Sequence, residues 1–194
     1  MTIENVSVYG LSESIRAAKF PMSVNTVMLD SEITPGIMSL AQSGMGEGHD
    51  NWLLGVVVQY DVTASIKWWT EMERYHFADI VSSQSTMHKI TKFDLSKAYS
   101  ENTDYRMIAI MRDLQWEYNR NPCTETYLRL LYSNPVGMNL TARMTTNYRQ
   151  LKTIYRQRKF HRLTEWRQFC RWIESLPHSD MITEMKEERG EADV

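Results

Sequence analysis

The chain has only two cysteines, Cys123 and Cys170, and they stand far apart. That excludes a disulfide framework and every cysteine-based zinc motif, and it makes the reducing cytoplasm the expected compartment. His49, His76, His88 and His161 fall at spacings that fit no zinc or iron pattern, so no metal centre is expected. No apolar stretch reaches the roughly 18 residues of a membrane helix, and no apolar run opens the chain. A soluble protein with neither membrane span nor signal peptide is expected. The densest glycine cluster, GMGEG at 44–48, has neither the GxGxxG nor the Walker spacing, so it is not read as a phosphate cradle. Internal repeats and low-complexity linkers are missing too. Covalent cysteine chemistry is also unexpected: Cys170 falls on an apolar helical stripe and Cys123 in a turn beside Pro122.

What remains is enough for an ordinary core, since 194 residues can bury one without staples. Thirteen Met and an aromatic content of 11% make that core adaptable, and the same side chains suit a flat ring ligand or a subunit interface. Charge is uneven. Residues 178–194 hold six acids and two bases, and removing that net −4 from the whole-chain −2 leaves a body of about +2. The expected organisation is a single domain over 1–177 and an acidic, solvated tail over 178–194.

Periodicity supplies the elements. A short strand is predicted over 4–9, then a helix in SESIRAAKF capped by Ser12 and stopped by Pro21. The 22–33 stretch has no period and is read as loop, and Thr34-Pro35 opens a helix to 42. LLGVVVQYDV at 53–62 is apolar enough for a central strand. Thr63 or Ser65 caps a helix over 64–77. The hydroxyl-rich VSSQSTMHK that follows either wraps an oxyanion or makes a turn. Helices are predicted over 104–118, with Met107, Ile110, Met111 and Leu114 inward, and over 124–132. Strands among helices without regular βαβ alternation point to an α+β fold.

The stretch 139–177 is the most distinctive. Between Arg143 and Arg171 it carries nine Lys/Arg against one acid, Glu165. Thr141, Arg143 and Thr145 alternate with Leu140, Ala142 and Met144, which predicts a strand with Arg143 on one face. Asn147 caps a helix over 148–159, with Leu151, Ile154 and Tyr155 as its buried stripe. Arg158 lies seven residues after Leu151 and so points inward, where a guanidinium needs an anion or a row of acceptors. A second helix starts at Thr164, buries Trp166, Phe169, Cys170 and Ile173, and ends at Pro177. So many bases make either a solvated face, a nucleic-acid grip or a small-anion site. A body charge of about +2 is a weak footprint for nucleic acid, and the inward Arg158 favours the small anion.

The order of motifs adds a resemblance. NLTARMTTNYRQLKTIYRQR resembles the C-terminal signature of the flavin-dependent thymidylate synthases, the ThyX family, with Arg143, Asn147, Leu151 and Arg158 in the places of its Arg, Asn, Leu and Arg. Trp166 sits about where that family has a Trp. SESIRAAKF is similar to the family's Ser-x-x-Arg-Ala-Ala-Arg helix, and GEGHDNWLL to its Gly-His-Glu loop, with His49 and Asp50 in the His and Glu places. Departures are plain as well. The family's Arg-His-Arg triplet is replaced by Glu73-Arg74-Tyr75-His76, where Arg74 and His76 keep its character, and a second His of the loop is replaced by Gly55. Such a divergent relative is of a kind expected in a phage or mobile element.

The resemblance implies a central, mostly antiparallel sheet with flanking helices. It also implies a homotetramer holding FAD, with dUMP as substrate, methylenetetrahydrofolate as carbon donor and NADPH as reductant. Arg143 and Arg158 would contact the nucleotide, with Arg158 catalytic. Ser83, Gln84 and Ser85 would take its phosphate. His49, Arg74, His76 and Asn147 would contact the flavin. Elementary chemistry agrees in outline: uracil C5 becomes nucleophilic when charge pushed onto its carbonyl oxygens meets a fixed cation, and a phosphate dianion wants Arg and hydroxyl donors. The same resemblance leaves room for a relative with changed substrate or product, or for a non-catalytic nucleotide-binding descendant.

Overall fold

In a computed structural model, residues 1–44 and 46–184 are described. Four strands, β1 (Thr2–Tyr9), β2 (Val57–Ser65), β3 (Ala78–Ser83) and β4 (Asn139–Asn147), form one sheet in the order β1-β2-β4-β3. Opposite Asp61 of β2 stands Arg143 of β4, and opposite Thr63 stands Thr141, so the numbers rise on one strand as they fall on the other. The pair is antiparallel. Helices surround the sheet in sequence, giving the α+β class and the antiparallel sheet expected.

Burial alternates over 57–64 of β2 and 141–147 of β4. Val58, Tyr60, Val62 and Ala64 of β2 and Ala142, Met144 and Thr146 of β4 are buried, while Asp61, Thr63, Thr141 and Arg143 between them are half-buried. One face is thus core and the other polar, and register is pinned because a slip of one residue would exchange them.

The chain divides into two compact units. The first comprises Met1–Glu4, Tyr60–His76 and Ile80–Met144. It contains α3 (Ile66–Met72), α4 (Thr86–Lys89), α5 (Tyr105–Arg120) and α6 (Thr124–Tyr132). Its core is Ile90, Leu95, Met111, Leu130 and Met138, with Tyr99, Leu114 and Tyr127 packed against them. Of the α5 residues expected inward, Met111 is buried, whereas Met107 and Ile110 are 38% and 48% exposed.

The second unit comprises Asn5–Gln59, Phe77–Asp79 and the chain from Thr145 on. Its helices are α1 (Leu11–Ala18), α2 (Pro35–Ala41), α7 (Tyr148–Arg158), α8 (Thr164–Glu174) and α9 (Asp180–Thr183). Asn147 caps α7, its side chain accepting from the Gln150 N–H at 2.9 Å. Trp166, Phe169, Cys170 and Ile173 of α8 are all buried, as their spacing predicts.

Local corrections have local causes. Residues 51–55 make a 3-10 turn that buries Leu53, so β2 starts at Val57 and not at 53. α3 is capped by Ser65 and stops at Met72, because Arg74 N–H turns back to the Glu71 carbonyl and Tyr75 N–H to that of Met72. The hydroxyl-rich segment begins as strand β3, with Ser85 then capping α4. α1 starts under Gly10 rather than Ser12. Gly10 has φ 72°, and a Cβ there would lie 2.5 Å from the Gly55 carbonyl oxygen, so only glycine fits this entry. Met181 and Ile182 of α9 are fully buried, while His178, Asp180 and Glu184 beside them are exposed. The remainder of the expected tail, 185–194, lies outside the described residues.

Candidate functional site

In the first unit, the polar face of the sheet carries Arg143. Its Nη1 donates to Asp61 Oδ1 at 3.1 Å, and both side chains keep a little under a third of their surface exposed. Thr63 and Thr141 join their hydroxyls at 2.7 Å one pair further along. The sequence expects Arg143 to meet a ligand's charge, and its partner within the chain is a carboxylate.

Gln84 is tied to the same strand twice. Its N–H donates to the Thr141 carbonyl and its side-chain oxygen accepts from the Thr141 N–H, each at 2.9 Å. Two residues along β4 from Thr141 stands Arg143. Ser85 spends its hydroxyl on the His88 N–H as a helix cap, whereas Ser83 ends β3 exposed. Arg74 and His76 are exposed beyond the end of α3. A hollow of about 730 Å³ elsewhere in this unit runs along α5 and mixes Arg112 with Asp94 and Asp113. None of the residues singled out from the sequence lines it.

In the second unit, Asn147, Arg149, Gln150 and Thr153 of the first turns of α7, with Asp50, Leu54 and Phe77, line a cavity of about 200 Å³. Asp50 is 2% exposed and accepts from Arg149 Nε and from Lys152 Nζ, each at 2.9 Å. Lys152, 1% exposed, also donates to the carbonyls of Ala41 and Ser43 at 2.8 and 2.7 Å. The resemblance places Asp50 beside a flavin contact; its observed partners are two cations of α7. His49, its neighbour, is exposed.

Lys152, Arg149 and Gln150 escape the sequence reading as individuals. A signal for Lys152 does exist, since Tyr148, Leu151, Lys152 and Tyr155 stand at i, i+3, i+4 and i+7, which places the lysine on the inner stripe of α7. Arg158 is half-buried, and its guanidinium carbon lies 4.8 Å from the centre of the Trp166 ring. A π face is therefore part of its surroundings. Arg143 belongs to the first unit and Arg158 to the second.

Two thiols differ sharply. Burial, with Glu174 nearby as a second cause, pushes Cys170 up to about 12. Hydrogen bonding from Thr126 draws the exposed Cys123 below the ordinary thiol range. Burial also raises the hydroxyls of Tyr60 and Tyr148 above the usual phenol range. Among the described residues no group of three or more His, Cys, Asp or Glu could hold a metal ion, and no helix is long and apolar enough to cross a membrane.

No protein-family model matches the sequence, and no curated protein is detectably similar to it. The fold is nevertheless shared: the chain has the fold of the flavin-dependent thymidylate synthases. The ThyX enzyme of Helicobacter pylori, complexed with FAD and dUMP, superposes with a TM-score of 0.73 at 14% identity, covering 94% of this chain and 97% of that one. A second structure of that enzyme with the same ligands gives 0.71 at 13% identity over the same shares. A UMP/dUMP methylase from Streptomyces cacaoi, bound with 5-bromo-dUMP, gives 0.55 at 13% identity, covering 78% and 74%.

Proposed function

We propose that the chain is a flavin-dependent pyrimidine-nucleotide C5 methyltransferase, acting on dUMP with methylenetetrahydrofolate and NADPH, and working as a homotetramer in the cytoplasm. The observation that carries this reading is the likeness of fold over nearly the whole chain to an enzyme whose structure holds FAD and dUMP. Arg143 supports it: a half-buried guanidinium on a polar sheet face, beside a Gln84 fixed by two hydrogen bonds, suits an anionic nucleotide. In this reading Arg143, Ser83, Gln84 and Ser85 bind the nucleotide, and Arg158 stabilises charge on the pyrimidine carbonyls. Its packing on Trp166 restricts the guanidinium to few orientations. The exposed edge strand β3, with Ile80 and Val81 45% and 59% exposed, supports an assembly that covers it.

The residues fit the cofactor in donor chemistry. Arg74 and His76 are open to an anionic ligand, and the Asn147 amide lines a cavity. At about 200 Å³ that cavity takes a ring or a phosphate group, less than the roughly 300–1,000 Å³ of a pocket for a drug-sized ligand. Asn147, His49, Arg74 and His76 would hold the flavin, which supplies the reducing equivalents when bound. One second reading has specific support: the likeness to a UMP/dUMP methylase and the replaced Arg-His-Arg triplet favour a changed pyrimidine substrate on the same fold.

The test is spectrophotometric. Purified protein incubated with FAD and desalted is expected to keep flavin absorbance, which dUMP then perturbs. A colourless protein that takes up no added FAD removes the flavoenzyme reading and leaves a nucleotide-binding descendant.

A further inference from the structure

Of the nine Lys/Arg between Arg143 and Arg171, three are answered inside the chain: Arg143 by Asp61, and Arg149 and Lys152 by Asp50. The other six, Arg156, Arg158, Lys159, Arg162, Arg167 and Arg171, crowd into 156–171 with Glu165 as the one acid. Cations suit the last turn of a helix, which accounts for Arg156 and Arg158 on α7 and Arg171 on α8. It does not account for Arg162, which stands between the helices, nor for the ring beside Lys159. Lys159, Arg162 and Arg171 are exposed and form no ion pair among the described residues.

Phe160 is 88% exposed in that connection, with the Lys159 ammonium 5.1 Å from its ring centre. A ring left in water adds nothing to the core. The connection itself is braced. Arg167 donates through Nη1 to the carbonyls of His161 and Arg162 at 2.6 and 3.0 Å, and through Nη2 to Thr164 Oγ1 at 3.0 Å. His161 N–H donates to the Arg158 carbonyl at 2.9 Å, and Leu163 N–H to His161 Nδ1 at 3.1 Å. Ring and cations are therefore presented on a fixed backbone, which lowers the ordering cost of binding.

Neither hollow described above is lined by these residues, and an open surface does not enclose a small ligand. An extended polyanion lying along it fits. An acidic peptide would use the cations and leave the ring idle, and a duplex keeps its bases stacked away from it. Unpaired bases use both, stacking on the ring while their phosphates meet the cations. The whole-chain charge of −2 does not oppose this, because charges beyond about 8 Å are largely screened at physiological salt.

We propose that the α7–α8 connection binds single-stranded nucleic acid through Phe160, Lys159, Arg162 and Arg171. This binding lies beyond the methyltransferase activity and does not depend on it.

Fluorescence anisotropy with a labelled oligodeoxyadenylate of about 12 nucleotides, a length such surfaces cover, tests it on the full chain over a salt series. Adenylate offers nothing to a pyrimidine site. The variants are the triple Lys159→Gln/Arg162→Gln/Arg171→Gln, Phe160→Ala and the conservative Phe160→Trp, each checked for folding by denaturant midpoint. Wild type is expected to bind, with log K falling against log salt at a slope of about −2 for three phosphate contacts. The triple variant should lose about tenfold or more and flatten that slope. Phe160→Ala should lose about fivefold or more at an unchanged slope, while Phe160→Trp keeps wild-type affinity.

Equal binding by wild type and the triple variant, or no binding by wild type at low salt, overturns the proposal. Equal binding by wild type and Phe160→Ala overturns the assignment to a single strand. So does a duplex of the same length bound as tightly, displacement of the strand by polyglutamate at equal charge, or sedimentation with phosphatidylserine vesicles in place of oligonucleotide binding. None of these outcomes bears on flavin retention, so the binding and the enzyme reading fail separately.

Discussion

The Arg158 guanidinium carbon and the Trp166 ring centre are 4.8 Å apart, so the cation that the sequence points inward is packed on an aromatic face. The stack is worth about 0.5–2 kcal/mol. Arg158→Lys keeps a charge near the ring and should cost less than about 1 kcal/mol in denaturant unfolding. If the planar fork polarises the pyrimidine, the same variant abolishes turnover, because a point charge does not reproduce bidentate geometry. Full activity in Arg158→Lys removes the catalytic role.

Burial decides the fate of Asp50 and Lys152, which are 2% and 1% exposed. Asp50→Asn leaves a buried ammonium without its counter-charge and should destabilise the protein by about 3–5 kcal/mol. The double variant Asp50→Asn/Lys152→Met removes both charges and should recover most of that loss. A double-mutant cycle on denaturation midpoints measures the coupling, and additive losses would show that the two act separately.

The pair of Arg143 and Asp61 sits in a wetter place, with 29% and 28% of the side chains exposed. Arg143→Ala should therefore shift stability by no more than about 1 kcal/mol. Its effect on dUMP affinity should be larger, about tenfold or more, since a charged contact to the ligand is lost. Equal dUMP binding by wild type and Arg143→Ala removes Arg143 from the substrate site.

Legibility followed locality. The Asn147 cap, the Trp166–Ile173 stripe and the alternation around Arg143 were readable because each is set by neighbours in sequence. Lys152 was not, for its burial depends on an acid and two carbonyls from 102 to 111 residues away. Distance in sequence also hid β3, whose ladder partner β4 comes much later in the chain while its own residues read as hydroxyl-rich turn. His49 and Asp50 are adjacent in sequence, yet one is exposed and the other sealed. Motif spacing places such residues on a loop without saying which of them turns inward.

Alkylation separates the two thiols. Cys123, exposed and with its proton loosened by Thr126, should react with iodoacetamide near pH 8, and Cys170, pushed up to about 12, should not. In urea both should react, and mass spectrometry counts the adducts. The Cys170 thiol holds its proton more tightly when folded than the ordinary value of 9.0, so its contribution to stability is complete below pH 9 and is lost as pH rises toward about 12. Rapid modification of Cys170 in the native protein would contradict its packing on α8.

The most direct test of the function is turnover. Protein supplied with FAD, NADPH, methylenetetrahydrofolate and dUMP is expected to yield a nucleotide one methyl group heavier at C5, detected by mass spectrometry and absent when flavin is omitted. Recovery of dUMP unchanged, alongside unchanged UMP and dCMP in parallel reactions with a flavin-loaded protein, would contradict the account.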